Sequence, residues 1–265
     1  MEERQSLQEL SMTLDDLLEA ENLQIDERLR DIMAAGALAG LLAVNPAAAK
    51  SSTPAYHQNF PSSLKGLKAA DPEDRKAAFV KTMLPLIDEA NRRIQADRDR
   101  LVQLLRQPNI NERDRAWIAS QEHRYNADNT RDLLTRMDVV PPSLVLSQAA
   151  VESGWATDTL AKKHLSFFGQ RAWTKRGTAR GKYGERYQQF SSPVASIDAY
   201  IRNLNSHSAY QGFRNTRAAA KRAGKTATGV DLAATLTKYS TRGTAYTTQL
   251  QNMIRNNNWL RFDQR

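Results

Sequence analysis

The chain has 265 residues, 40% of them hydrophobic, and a formal net charge of +9. This is enough to bury one good-sized core with a small appendage. The absence of cysteine excludes disulfides, thiolate metal sites and a cysteine nucleophile, and leaves the redox compartment undetermined.

The charge is divided unevenly. Residues 1–49 hold Arg4, Arg28 and Arg30 against ten acids, a net −7, so residues 50–265 carry +16. A body this basic favours a polyanionic partner, whether nucleic acid, anionic membrane or bacterial cell-wall polymer. The acidic head runs into "IMAAGALAGLLAVNPAAA" (32–49), followed by the small-residue stretch "PAAAKSS". Alone this reads as the apolar region of a secretory signal, yet a net acidic stretch of some thirty residues precedes it where a basic segment belongs. The run to Val44 is about 13 residues, short of the ~20 that span a bilayer. Cleavage after Ala49, a releasable membrane anchor and a helix buried in a larger assembly such as a virion all remain open, beside an Ala-rich helix docked on another chain. Export to the periplasm or cell envelope is the expectation, with a phage particle acting on a host wall as the alternative.

A Ser- and Pro-rich linker occupies 50–66. Asp71, Pro72, Glu73 and Asp74 then form a helix start, with a cap, a proline at the first position and acids at the positive end of the dipole. Phe79, Met83, Leu86, Ile87, Ala90, Ile94, Leu101, Leu104 and Leu105 recur at helical spacing, beside a face crowded with Arg, Asp and Glu that reads as solvated. "QPNIN" interrupts, a helix through Trp117, Ile118 and Tyr125 resumes, and a short one precedes Pro141 and Pro142. Residues 143–165 read as helix, a turn at Ser153 and Gly154, then helix. "GTARGKYGERYQQF" (177–190) reads as an exposed hairpin or loop. Stripes through Ile197, Tyr200, Ile201 and Leu204, then Leu232, Leu236 and Tyr239, then Leu250, Met253 and Ile254 are helical. The class is mainly α, with an appendage at 1–49, the linker, a helical lead-in at 67–138 and a second domain at 139–265.

One carboxylate stands out. Leu144, Val145, Leu146, Ala149, Ala150 and Val151 surround the helix that ends in Glu152, so that helix is expected to be buried. Desolvation and the negative end of the dipole both disfavour a charged Glu152. A carboxyl group kept protonated near neutral pH suits a general acid. On these residues alone, a Glu that turns outward or pairs with an arginine remains the alternative.

"PPSLVLSQAAVESGWATDTLAKKHLSFFGQ" (141–170), "YQQFSSPVASIDAYIRNLNSHSAYQGFRNTRA" (187–218) and "LAATLTKYSTRGTAYTTQLQNMIRNNNWLRFD" (232–263) resemble family 73 glycoside hydrolases, the bacterial peptidoglycan N-acetylglucosaminidases. From about residue 75 the pattern is most similar to the Bax subfamily. The resemblance implies a lysozyme-like, helix-dominated domain with a small β-hairpin and a groove for the glycan strand. It also implies hydrolysis of the β-1,4 bond between N-acetylglucosamine and N-acetylmuramic acid, without a cofactor.

Glu152 falls at the family's catalytic acid. A second acid is expected on the hairpin, where Glu185 is the only acid between Asp158 and Asp198; a solvated charge is the competing reading, and some members use the substrate's own N-acetyl group. A family "YATDPxY"-like element corresponds to "YSTRGTAY", with Tyr239 and Tyr246 at its ends and Arg242-Gly243 in place of Asp-Pro. Tyr239 is the expected catalytic tyrosine and Tyr246 a groove residue, although Tyr239 also completes an apolar stripe. Phe168, Gln170, Trp173 and Tyr183 are the further expected substrate contacts; a core position is the alternative for each aromatic, the polar neighbourhoods of Trp173 and Tyr183 favour the groove for those two, and Trp155 is expected behind the catalytic helix. Ala156 stands where the family often has glycine, and "HLSFFG" (164–169) replaces "NNLFG".

Competing classes are a lytic transglycosylase, which also uses one Glu before a serine, and a non-catalytic wall-binding or phage structural protein. A nucleic-acid binder would account for the charge, but the basic residues are dispersed and no recognition module stands out. His57, His123, His164 and His207 lie too far apart in sequence to form a local metal motif.

Overall fold

The computed structural model describes residues 69–172, 178–180 and 186–264. The head, apolar run and linker expected over 1–66 lie outside these residues. The described chain is helical apart from one short hairpin, in keeping with the expected mainly α class with a small hairpin and a helical lead-in.

Helix α1 (Pro72–Leu105) opens as its sequence dictates, the Asp71 carboxylate accepting from the Glu73 N–H at 3.0 Å. Its apolar stripe divides between two cores. Phe79, Met83, Leu86, Ile87 and Ala90 enter the main core. Leu101, Leu104 and Leu105 enter a second, with Ile110 and residues of α2 (Glu112–Tyr125) and α3 (Thr130–Arg136). One face residue departs from the solvated reading. Arg98 is buried because its guanidinium donates to the carbonyls of Leu134 and Met137, and a charge can be buried when its donors are satisfied.

These bonds belong to a clamp on the segment between α3 and α4 (Pro142–Ser153). Arg217 donates to the carbonyls of Asp138 at 3.2 Å and Val139 at 2.9 Å, Asn205 to that of Asp138 at 2.8 Å, and Asn91 to that of Val140 at 2.8 Å. Burial opposes ionisation of Asp138, but Arg98, Arg217 and Lys221 outweigh it and hold its pKa below the usual carboxylate range. The clamp fixes where α4 begins. Pro141 and Pro142 then give α4 no side-chain cap of its own. Asp263, near the C-terminus, caps it instead, accepting from Ser143 N at 3.0 Å and Ser143 Oγ at 2.7 Å.

Helix α5 (Thr159–His164) follows a left-handed turn. Strands β1 (Thr178–Arg180) and β2 (Arg186–Gln188) pair antiparallel, with Ala179 opposite Tyr187. The other edge of β2 holds the segment after Gly169, through Gln188 N to Gln170 O and Ala172 N to Arg186 O, both 2.9 Å. Helix α6 (Pro193–Ser206) is capped by Ser192, and a 3-10 turn at Ser208–Tyr210 leads into α7 (Gln211–Arg222). Helix α8 (Gly229–Ala233) opens with a Thr228–Asp231 capping box. Helix α9 (Thr244–Asn256) and a 3-10 turn at Trp259–Phe262 complete the chain. Among the described residues no helix is long and apolar enough to cross a membrane.

Helix α4 is buried nearly all round, Leu144, Val145, Leu146 and Ala149 being wholly inaccessible. It meets α1, α8 and α9. A β-carbon on Gly229 would lie 2.0 Å from Ser143 Oγ, so glycine is what allows α8 this close to the start of α4.

Candidate active site

Glu152 lies in the last turn of α4. Immediately beyond it Gly154, Trp155 and Ala156 all take positive φ, at 55°, 61° and 60°. That conformation is costly for residues with a β-carbon, and packing offsets the cost. Trp155 meets Phe79 edge-on at 5.4 Å and Trp259 at 5.8 Å, and the Ala156 N–H donates to Ser153 Oγ at 2.8 Å. The φ of +60° also explains why glycine suits the position of Ala156.

The Glu152 side chain is partly buried, and Tyr246 of α9 donates its hydroxyl to Oε1 at 2.8 Å. Oε2 lies over Gly169, where a β-carbon would stand 3.0 Å from it. Gly169 has φ +59°, so both the backbone and the close approach require glycine there. Burial raises the Glu152 pKa, and the Tyr246 hydrogen bond and the Arg242 charge oppose the rise without cancelling it. The carboxyl group is thus biased toward its neutral form, set at the end of a rigid helix, and has one oxygen engaged.

Aromatic residues support it from below. Tyr246 stacks on Tyr239 with ring centroids 5.7 Å apart and planes 2° from parallel. Tyr239 packs in turn against Tyr200 and Tyr210, and Phe168 stacks on Tyr200 at 4.0 Å. Gln148, one turn before Glu152, donates from Nε2 to the Tyr246 oxygen at 3.0 Å and accepts from the Tyr200 hydroxyl at Oε1.

Comparison with known proteins gives this geometry a family. Residues 127–259 match the family model for glucosaminidase, described as mannosyl-glycoprotein endo-beta-N-acetylglucosaminidase. The chain is 38% identical over 192 residues to protein bax of Escherichia coli (strain K12), covering 69% of this chain and 70% of that one. The chain belongs to the glucosaminidase family. Among solved structures, the catalytic domain of the autolysin Auto from Listeria monocytogenes aligns with a TM-score of 0.38 and 16% identity, over 91% of this chain and 99% of that one.

In this glucosaminidase-family chain the expected site residues fall into three groups. Glu152 and Tyr246 are in direct contact. Tyr239, expected to be the catalytic tyrosine, instead donates its hydroxyl to the Phe168 carbonyl at 2.9 Å and has no hydrogen bond to Glu152. Tyr246, expected to line the groove, is 1% exposed and reaches Glu152 from within the core. Tyr246, rather than Tyr239, is therefore the tyrosine in contact with Glu152.

Phe168 takes the core alternative. Its ring is 1% exposed beneath Tyr200 and offers no face to a sugar. Gln170 is partly buried, its carbonyl holding β2 and its Oε1 buried without a hydrogen-bond partner among the described residues. Glu185, Trp173 and Tyr183 lie outside the described residues. Trp155 packs against α1 and the C-terminal 3-10 turn, behind the helix that carries Glu152.

The residues that sequence reasoning missed are Gln148, Tyr200 and Gly169. For Gln148 a signal was present: it stands four residues before Glu152 on one helix, hence on the same face. Tyr200 reads only as part of an apolar stripe.

Proposed function

We propose that this glucosaminidase-family chain is a peptidoglycan hydrolase, an endo-β-N-acetylglucosaminidase that cleaves the β-1,4 bond between N-acetylglucosamine and N-acetylmuramic acid with Glu152 as general acid. The observation that carries the reading is the partly buried Glu152 carboxyl, its pKa raised by burial and its Oε1 held by Tyr246 at 2.8 Å. Family membership supports the reaction class, and the resemblance of residues 141–170 to the peptidoglycan members supports the substrate. The +16 charge of residues 50–265 suits an anionic cell wall.

In this mechanism Glu152 gives its proton to the glycosidic oxygen as the bond to the anomeric carbon breaks and positive charge develops on the sugar ring. Water then adds to that carbon and loses a proton to a base, which leaves a reducing N-acetylglucosamine end. Glu185, between β1 and β2 in sequence, is the proposed base; the substrate acetamido group is the other route open to the family. Trp173 and Tyr183 are proposed sugar contacts. On this reading the working protein acts outside the cytoplasm, exported through residues 1–49 or carried by a phage particle to a host wall.

Incubation of the full chain and Glu152→Gln with purified peptidoglycan tests the proposal. Soluble muropeptides released by the wild type and not by a folded Glu152→Gln are expected. Equal release by both would overturn the role of Glu152.

A further inference from the structure

Three helices meet in one hydrogen-bonded chain: Tyr200 of α6, Gln148 and Glu152 of α4, and Tyr246 of α9. We propose that Gln148 and Tyr200 are positioning residues that act through Tyr246, fixing it as a donor to Glu152 Oε1 and so leaving Oε2 as the oxygen that carries and delivers the acidic proton.

The direction of the chain follows from its buried end. Tyr200 is inaccessible to solvent, and a buried hydroxyl donates its hydrogen to whatever acceptor it meets. That acceptor is Gln148 Oε1. The Gln148 amide is thereby oriented, and its Nε2 faces and donates to the Tyr246 oxygen. The Tyr246 hydroxyl hydrogen is then directed at Glu152 Oε1. The carbonyl oxygen of a neutral carboxyl group accepts a hydrogen bond better than its hydroxyl oxygen does, so with Tyr246 donating to Oε1 the neutral acid holds its proton on Oε2, over Gly169. Among the described residues the reverse wiring leaves the Tyr200 hydrogen without an acceptor.

This inference rests on the reading of Glu152 as the acid. Among the described residues the other groups acting on Glu152, or acted on by it, are Arg242 before α9, Tyr239 after α8, and Tyr210 of the 3-10 turn. Burial raises the pKa of each of the four tyrosines, so none of them titrates alongside Glu152 in the acid to neutral range.

The test uses full-length protein carrying 13C in the glutamate carboxyl groups, as wild type, Gln148→Met and Tyr200→Phe. The Glu152 signal is assigned by its loss in Glu152→Gln. Methionine keeps the shape of Gln148 without its donor, which frees a lone pair of the Tyr246 oxygen to accept from Glu152 instead and removes the polarisation that makes Tyr246 a strong donor. The Glu152 titration midpoint is expected to rise in Gln148→Met, and by less in Tyr200→Phe. The alkaline limb of kcat on peptidoglycan should move the same way, with kcat down on the order of ten-fold and KM little changed.

Wild-type midpoints in both folded variants would overturn the relay, since a merely structural role lowers stability without moving a titration. Tyr200→Phe removes a single oxygen and decides the question if Gln148→Met fails to fold. Because the carboxyl titration needs no substrate, a wild type without glycosidase activity would refute the proposed function while the midpoints still judge the relay.

Discussion

Tyr246 and Glu152, 94 residues apart in sequence, meet through a single hydrogen bond of 2.8 Å from the tyrosine hydroxyl to Oε1. Tyr239 stacks flat against the same tyrosine but spends its hydroxyl on the Phe168 carbonyl. Tyr246→Phe and Tyr239→Phe should therefore separate. The first is expected to lower kcat by roughly ten-fold and raise the pH of the alkaline limb, because it deletes a donor that favours ionised Glu152. The second should cost about 1 kcal/mol of stability and leave the pH profile in place. Steady-state pH profiles and thermal unfolding of both variants check this.

Glu152 should also be a stability liability. Its folded pKa is raised above the ordinary value of 4.5 by burial, so its contribution to stability is fully present below pH 4.5 and is lost as pH rises through the folded pKa. Glu152→Gln, which retains an oxygen for Tyr246, should raise Tm at pH 7. The gain should shrink toward zero near pH 4. A calorimetric series across this range decides, and a constant difference between the proteins would contradict the burial account.

Gly169 lies close against the Glu152 carboxyl group. A methyl group there meets Oε2 at 3.0 Å on a backbone with φ +59°. Gly169→Ala should cost about 1–2 kcal/mol through the left-handed backbone. Displacing the carboxyl should lower kcat on the order of a hundred-fold. Activity within two-fold of wild type would show that Oε2 has space to spare.

Asp263 holds the far end of the same helix. Its carboxylate accepts from Ser143 N, Ser143 Oγ and Gly229 N at 3.0, 2.7 and 2.9 Å, so it caps α4 and α8 together. Asp263→Ala leaves two helix-terminal N–H groups and a buried hydroxyl without that acceptor, a loss of roughly 2–4 kcal/mol. This should appear as a Tm lower by roughly 5–12 °C. Asp263→Asn, which keeps one acceptor oxygen, should fall between. Equal Tm for wild type and alanine variant would remove the double cap from the account.

What the sequence made legible is what local rules decide. Asp71-Pro72 marks the start of α1 because a cap and a first-position proline act within one turn. The burial of α4 follows from apolar residues on every side of it, and the raised pKa of Glu152 from that burial. The tyrosines were not legible. Which of Tyr239 and Tyr246 reaches Glu152 depends on the turn between them, where Gly243 takes φ +53° before α9 begins. The sequence neighbours of Phe168 do not decide between groove and core, because Tyr200, which covers its ring, comes from a different helix. The burial of Arg98 is illegible for the same reason, since the carbonyls that satisfy it belong to residues 134 and 137.

The most direct test of the central claim is mass analysis of the products that full-length wild type and Glu152→Gln release from purified peptidoglycan, before and after borohydride reduction. The account predicts fragments ending in reducible N-acetylglucosamine from the wild type and none from the folded variant. Anhydro-muramyl ends, or the same fragments from Glu152→Gln, would contradict it.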